Sequence, residues 1–189
     1  LAKGKTTMPP ILRLDIEKYH GESDVKAAYI EGLDSYAIKI ASGFFNNPKL
    51  GIPSSNGLMI LLDSQTGVIK SVLLDKGYLT DVRTAIAGAI AAKHLSNHDS
   101  TKAGIIGAGI QAKLQLEALT LVRKINTAYI WSRNSAKTKK FVEEINNLNV
   151  NLEVCSSAEE VLRKSEIVVT TTPSKSPLIK SDWLKKGLH

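Results

Sequence analysis

Two hydrophobic rhythms divide the chain. Up to about residue 79 the apolar positions alternate with polar ones or form short unbroken runs, as β-strands require. Ile11-Leu12-Arg13-Leu14-Asp15-Ile16 and Tyr36-Ala37-Ile38-Lys39-Ile40-Ala41 alternate, and Leu58-Met59-Ile60-Leu61-Leu62 is continuously apolar. Asp63-Ser64-Gln65-Thr66-Gly67 reads as a turn and 68–74 as the return strand of a hairpin. A helix is expected next, with Thr80 as N-cap, Asp81 in the first turn, and Ala85, Ile86, Ala89, Ile90 and Ala92 at helical spacing. It ends near His94-Leu95, and the polar stretch Ser96-Asn97-His98-Asp99 is the expected domain boundary.

Beyond Thr101 strands and helices alternate, the pattern of an α/β sheet. Strands are expected at 103–106, 128–131, 152–154 and 167–171, with helices at 112–122, 136–146 and 158–164. The fold class is therefore α/β: a strand-rich substrate and dimerisation domain over 1–98, then a Rossmann-type domain over 99–189. Gly187-Leu188-His189 reads as the approach to one more strand, and the chain has no initiator Met, so truncation at both ends is expected.

Composition narrows the class. Of 189 residues 43% are hydrophobic and 23% charged, and no apolar run approaches a membrane span. The start, Leu1-Ala2-Lys3-Gly4-Lys5, does not resemble a signal peptide. A single cysteine, Cys155, fits a reducing cytoplasm and reads as structural. The net charge of +7 is dispersed and lacks a nucleic-acid motif, so anionic small molecules are the expected partners. The four histidines show no metal-ligand spacing, and no G-x-S-x-G elbow is present.

Chemistry concentrates in Gly107-Ala108-Gly109-Ile110-Gln111-Ala112, a G-x-G-x-x-A motif between a strand and a helix. Gly107 allows the tight turn, Gly109 lets a pyrophosphate approach the backbone, and Ala112 lets helix and strand pack closely. At the end of the next strand, Trp131-Ser132-Arg133-Asn134 carries no acid to bind a ribose diol. Ser132, Arg133 and Asn134 can instead receive a 2′-phosphate, which favours NADP(H) over NAD(H) and leaves NAD(H) open; alternatively Arg133 is simply exposed. Thr171, Thr172 and Pro173 end the fourth strand, where ligands of open α/β sheets lie, or form an ordinary polar loop. Lys39 sits between Ala37 and Ala41 on one strand face, which suits either a pocket cation or an edge lysine reaching solvent. Arg83 in the first helical turn is unfavourable against the helix dipole unless an anion binds there.

Six segments in this order resemble the ornithine cyclodeaminase/mu-crystallin family over nearly the whole chain: Met8-Pro9-Pro10, Ile38-Lys39-Ile40, Asn47-Pro48-Lys49-Leu50-Gly51-Ile52-Pro53, Leu79-Thr80-Asp81-Val82-Arg83-Thr84-Ala85, the glycine motif and Ile130-Trp131-Ser132-Arg133. The 8–15 and 43–48 stretches look most like the ectoine-utilisation branch and imino-acid reductases such as iminosuccinate reductase. The resemblance implies that Lys39 and Arg83 hold a substrate carboxylate and act catalytically, with Ser54 nearby. It implies that Thr84, Gly109, Ile110 and Gln111 meet the cofactor phosphates. It also implies a homodimer built through the N-terminal domain and hydride transfer on a small amino or imino acid. An imino-acid reductase or amino-acid dehydrogenase is the leading expectation. Ornithine cyclodeamination, or NADPH-dependent ligand binding without turnover, is the alternative. Two departures stand out. Ile11 replaces a basic residue that many members carry after Pro-Pro, for which Arg13 is a candidate substitute, and the family's catalytic aspartate is expected just beyond His189.

Overall fold

The alternating N-terminal stretches fold as antiparallel strands. The computed structural model describes residues 5–145 and 148–189. Residues 1–4, the start read above as unlike a signal peptide, and Asn146, the expected last residue of a helix, lie outside them. The chain forms two units, 1–80 and 81–189.

The first unit is one sheet of six strands: β1 (Thr6–Thr7), β2 (Leu12–Ile16), β3 (Gly21–Ile30), β4 (Ser35–Phe44), β5 (Ser55–Asp63) and β6 (Ile69–Leu73). Its order is β1-β3-β4-β5-β6, with β2 also on β3. Register places side chains in cross-strand rows. One row is Leu12, Val25, Ile40 and Leu58; another is Ala27, Ile38, Ile60 and Val72. Because side chains alternate across a strand, the opposite face carries the row Lys26, Lys39 and Met59 and the pair Arg13 and Asp24. The hairpin turn between β5 and β6 is held by Asp63, whose Oδ1 accepts from the amides of Gln65 (3.0 Å) and Thr66 (2.9 Å). Lys70 Nζ sits 2.9 Å from Oδ2 and, with the Thr66 and Gln65 bonds, holds that carboxyl well below the usual range. Strand β3 was not singled out in the hydrophobic pattern.

Helix α1 (Tyr78–Leu95) starts earlier than its expected cap. Asp75 accepts from the Leu79 amide at 2.6 Å, so Thr80 and Asp81 already lie within the helix. Arg83 is consequently in the second turn, where the dipole argument weakens. Most of α1 belongs with the second unit: the division falls between Thr80 and Asp81, inside this helix, whereas the expected boundary was 98/99. The cause is its small-residue face. Ala85 and Ala89 bury against Ala118, while Ile86 and Ile90 point to solvent.

The second unit alternates β7 (Lys102–Ile106), α2 (Ile110–Thr120), β8 (Thr127–Trp131), α3 (Ser135–Glu144), β9 (Asn151–Val154), α4 (Ala158–Lys164) and β10 (Ile167–Thr170). The strands are parallel in the order β10-β7-β8-β9. Sequential strands step one way from β7 and then jump to its other side, the reversal that defines a nucleotide-binding α/β sheet. His189 donates its amide to Glu166 O (3.0 Å) and accepts from Val168 N (2.7 Å), which extends parallel pairing beyond β10 as the terminal residues suggested. The strands are covered on both faces. Ala103, Ile105, Ala128 and Ile130 pack with Leu116 and Phe141 from α2 and α3. Ile106 packs with Val161 and Leu162 of α4. Gly104 permits this close approach, since a Cβ there would lie 2.7 Å from Val161 Cγ1. Among the described residues no helix is long and apolar enough to cross a membrane.

The end of α1 is tied to the α2–β8 connection by Arg123, only 5% exposed. Its guanidinium donates to the carbonyls of Ala92 (3.0 Å), Lys93 (2.9 Å), Ser96 (3.1 Å) and Asn97 (3.1 Å), and to Ser96 Oγ (3.0 Å). It therefore satisfies carbonyls that a helix C-terminus leaves without partners. Arg123→Met is expected to lower the unfolding free energy by about 3 kcal/mol, because several buried acceptors lose their donors together. Arg123→Lys should recover less than half of this, since an ammonium cannot reproduce the fork. Urea denaturation of the three proteins checks it, and coincident midpoints would refute it.

Candidate functional site

The glycine motif lies at the carboxyl end of β7, beside β10, where the strand order reverses. Gly107 has φ +133°, and a Cβ there would collide with Thr171 Oγ1 and lie 2.6 Å from the Thr171 carbonyl oxygen. The Thr171 amide donates to Ile106 O (2.8 Å), so the two strand ends stay in contact up to the turn. Gly109 differs: its backbone is extended (φ −120°, ψ −171°) and a Cβ would meet nothing within 4 Å. It precedes α2, whose N-terminus receives no side-chain cap. Ile110 is exposed beside it, and Ala112 is fully buried against the sheet. Open space above Gly109, together with uncapped amides, fits a pyrophosphate.

Two glutamines join this turn to α1. Gln111 Nε2 donates to Asp81 O (3.2 Å) and Asp81 Oδ1 (3.0 Å). Gln115 Nε2 donates to Thr84 O (3.1 Å). Gln115 also fills the space that Gly88 leaves open, where a Cβ would strike its Oε1. The side chain of Gln111 thus ties α1 at Asp81 to the glycine turn. Arg83 is exposed, and its guanidinium makes no hydrogen bond or ion pair among the described residues. Gln115 was not anticipated. The signal available was its position one helical turn after Gln111, which puts both amides on one face of α2.

At the end of β8, Ser132 Oγ lies 2.7 Å from Thr138 Oγ1 and 3.1 Å from Asn134 O. Asn134 caps α3 through its Oδ1, which accepts from the Lys137 amide at 2.9 Å, so its Nδ2 is the part of the side chain left to face a ligand. Arg133 is exposed. At the end of β10, a cavity of about 290 Å³ is lined by the hydroxyls of Thr170, Thr172, Ser174 and Ser176 and by Leu178 and Ile179. Thr172 Oγ1 accepts from the Ser174 amide (3.3 Å), and Pro173 is exposed. Cys155 packs in the cluster that includes Leu178 and Ile179. Burial first, and then the Glu160 charge, push its thiol up to about 11, which fits a structural residue.

Lys39, Ser54 and Arg13 belong to the first unit. Lys39 is buried at the middle of β4, 9% exposed, with Lys26 opposite it on β3 and Met59 opposite it on β5. Its same-face neighbours Ala37 and Ala41 are small, as a pocket cation requires. Lys26 donates to Asp24 Oδ2 (2.9 Å), and this bond chiefly, with Lys39 contributing, lowers the Asp24 pKa. Ser54 precedes β5, its carbonyl accepting from the Phe44 amide at 2.8 Å. The reading of Arg13 as a substitute substrate cation gives way. Its guanidinium contacts Asp15 (2.9 Å) and Glu22 (2.6 Å), with Asp24 at 3.9 Å, and carboxylates already occupy the groups that would bind a ligand.

The sequence profile of the ornithine cyclodeaminase/mu-crystallin family matches residues 1–189. An uncharacterized cyclodeaminase of Sinorhizobium fredii is 54% identical over 184 residues, which are 96% of this chain and 55% of that protein. A Δ1-pyrroline-2-carboxylate reductase of Thermococcus litoralis, solved with NADH and L-proline, superposes with a TM-score of 0.94 at 34% identity, covering 100% of this chain and 58% of the other. An archaeal alanine dehydrogenase dimer with bound NAD gives 0.88 at 35% identity, covering 100% and 57%. The chain thus spans rather more than half the length of the relatives it matches.

The two motif glycines should separate fold from binding. Gly107→Ala is expected to lower the Tm by several degrees, because it combines a disfavoured φ with a backbone collision. Gly109→Ala should leave the Tm unchanged and weaken dinucleotide binding at least tenfold. Thermal unfolding followed by circular dichroism, with a cofactor titration, reads both; equal Tm losses would show that Gly109 is structural.

Proposed function

The chain belongs to the ornithine cyclodeaminase/mu-crystallin family, and from that premise we propose that it is the nucleotide-binding and substrate-binding part of an NAD(P)-dependent imino-acid reductase or amino-acid dehydrogenase. The observation that carries this reading is the Gly107 turn pressed against Thr171 at the sheet reversal, with open space above Gly109. The nicotinamide of a bound cofactor supplies or accepts a hydride at the carbon that bears the nitrogen. In this reading the uncapped α2 amides and Thr84 hold the pyrophosphate, and Thr171, Thr172 and Pro173 border the nicotinamide side. For the substrate carboxylate this reading assigns Lys39, a buried cation of the first unit, and Arg83, an exposed cation of the second, as the family resemblance implies, with Ser54 also assigned to the substrate. The pyrroline-carboxylate reductase and alanine dehydrogenase relatives support this substrate class. The lone buried thiol supports a cytoplasmic setting. Between NADP(H) and NAD(H), the exposed Arg133 beside Ser132 favours the former, with NAD(H) the alternative.

Assay with Δ1-pyrroline-2-carboxylate, and with pyruvate plus ammonia, following reduced cofactor at 340 nm, tests the function. Turnover of either imine is expected, and ornithine should be converted at least tenfold more slowly. Lys39→Ala should abolish turnover while dinucleotide affinity stays within twofold. Faster release of ammonia from ornithine than reduction of any imine would favour the cyclodeaminase instead. Cofactor binding without turnover of any substrate would favour a binding protein.

The same reading makes the protein a homodimer through its first unit. Leu12 and Val72, at the ends of the apolar rows, are 54% and 51% exposed, and no cluster of buried hydrophobics forms inside that sheet among the described residues. An apolar face of this extent is unusual on a monomer. Light scattering after size exclusion should give twice the chain mass, and Ile40→Glu, at the middle of one row, should give a folded monomer. A wild-type monomer would refute this part.

A further inference from the structure

One side chain joins the glycine turn to the opening of α1, and it is held there at a visible cost. Gln111 is the second residue of α2. Its Nε2 donates to the Asp81 carbonyl (3.2 Å) and to Asp81 Oδ1 (3.0 Å), which uses both of its protons. Its Oε1 is buried and has no hydrogen-bond partner. A buried acceptor left unmatched lowers stability. The opposite orientation of the amide would set that oxygen against the two oxygens of Asp81. The side chain is therefore fixed by what it grips, and it has no proton left for a phosphate.

The grip starts from the least anchored part of α2. Gly109 gives the helix no side-chain cap, and the bond from the Lys113 amide to Gly109 O is long at 3.3 Å. The opening amides are without partners until an anion takes them. One turn later Gln115, only 8% exposed, donates to the Thr84 carbonyl (3.1 Å). Helix α1 is thus held at two points, Asp81 from the uncapped turn of α2 and Thr84 from the buried turn that follows.

We propose that Gln111 is a positioning residue through which a dinucleotide on the α2 amides orders the opening turns of α1, and with them Arg83. The inference rests on the dinucleotide site and the role of Arg83 proposed above, and adds a coupling between them. An anion on the amides fixes the first turn of α2, and the Nε2 bonds carry that order to Asp81, two residues before Arg83 on the same helix. Arg83 is exposed, so the helix that carries it sets its place. Order that the cofactor supplies is order that the substrate carboxylate need not supply, so each ligand tightens the other by the same factor.

Hydrogen exchange of the whole chain with and without saturating NADH, read by mass spectrometry, tests this without a substrate. In the wild type NADH should slow exchange of the amides of 82–86 about fivefold or more. Gln111→Met, which keeps the length and removes both donors, should bind NADH within about threefold of wild type, because the backbone amides remain. It should show no slowing at 82–86. Gln115→Met should lower the Tm and keep the NADH-dependent slowing, which separates coupling from packing. Asp81→Asn, which keeps an oxygen acceptor, should behave as the wild type. With pyruvate and ammonia at saturating NADH, Gln111→Met should raise KM about tenfold and leave kcat within about threefold. Equal slowing in wild type and Gln111→Met, or none in a wild type that binds NADH, would overturn the inference and leave the dinucleotide site standing. An unchanged KM in Gln111→Met would overturn the link to Arg83. Failure of the folded protein to bind NADH would overturn the site and this inference together.

Discussion

A side chain at position 107 has nowhere to go, and the second unit is arranged around that fact. The Gly107 turn lies in contact with the end of β10 because no Cβ separates them. That contact lets β10 pair with β7 as far as Thr170 and brings Thr171 alongside the turn. The adjoining strands leave β7 on the other side, so the reversal of order opens a site beyond the strand ends. Gly104, three residues earlier, makes the matching concession to α4 on the opposite face of the sheet. Close packing on both sides of one short strand is what aims the amides at the start of α2 toward a ligand.

Most of this unit was legible because its strands are buried on both faces. Ala103-Gly104-Ile105-Ile106 and Ile167-Val168-Val169 cannot be mistaken for half-exposed strands, and the glycine motif locates the turn between strand and helix. The first unit was less legible at β3, where Glu22, Asp24 and Lys26 alternate with Gly21, Ser23 and Val25. Neither face of that segment is strongly apolar. Its identity as the central partner of β2 and β4 comes from pairing, which a local hydrophobic window does not contain. The start of α1 was misplaced for a related reason. Thr80 has the chemistry of a cap, but Asp75 reaches the helix first through a turn in which Lys76 and Gly77 both adopt positive φ.

The polar residues that assemble the site are the ones pattern reasoning reads least well. Gln111 looks like part of the phosphate loop by position, yet its amide is spent on Asp81. Gln115 and Arg123 look like helix-surface residues by type, yet both are buried and bond to the backbone of α1. Their effect is to dock a helix whose buried face is almost entirely alanine. Alanines bury little area each, so hydrogen bonds to specific carbonyls set the register of α1 against α2 more sharply than apolar contact does. The placement of Arg83 and Thr84 depends on that register.

Ser132 shows the same limit at the level of a single proton. A serine beside an arginine, after the second strand of such a sheet, reads as a phosphate site because both residues are able to donate. Whether a hydroxyl donates is settled by the acceptors already within its reach, and here two of them lie inside the loop. Thr138, six residues on and buried under the loop, is invisible to a motif written around positions 131–134. With the Asn134 carbonyl already accepting from the Thr138 amide, the Ser132 proton is free to turn outward whenever Thr138 donates to Ser132. Such a hydroxyl takes its polarity from Thr138 and from what approaches the loop, neither of which is written in positions 131–134.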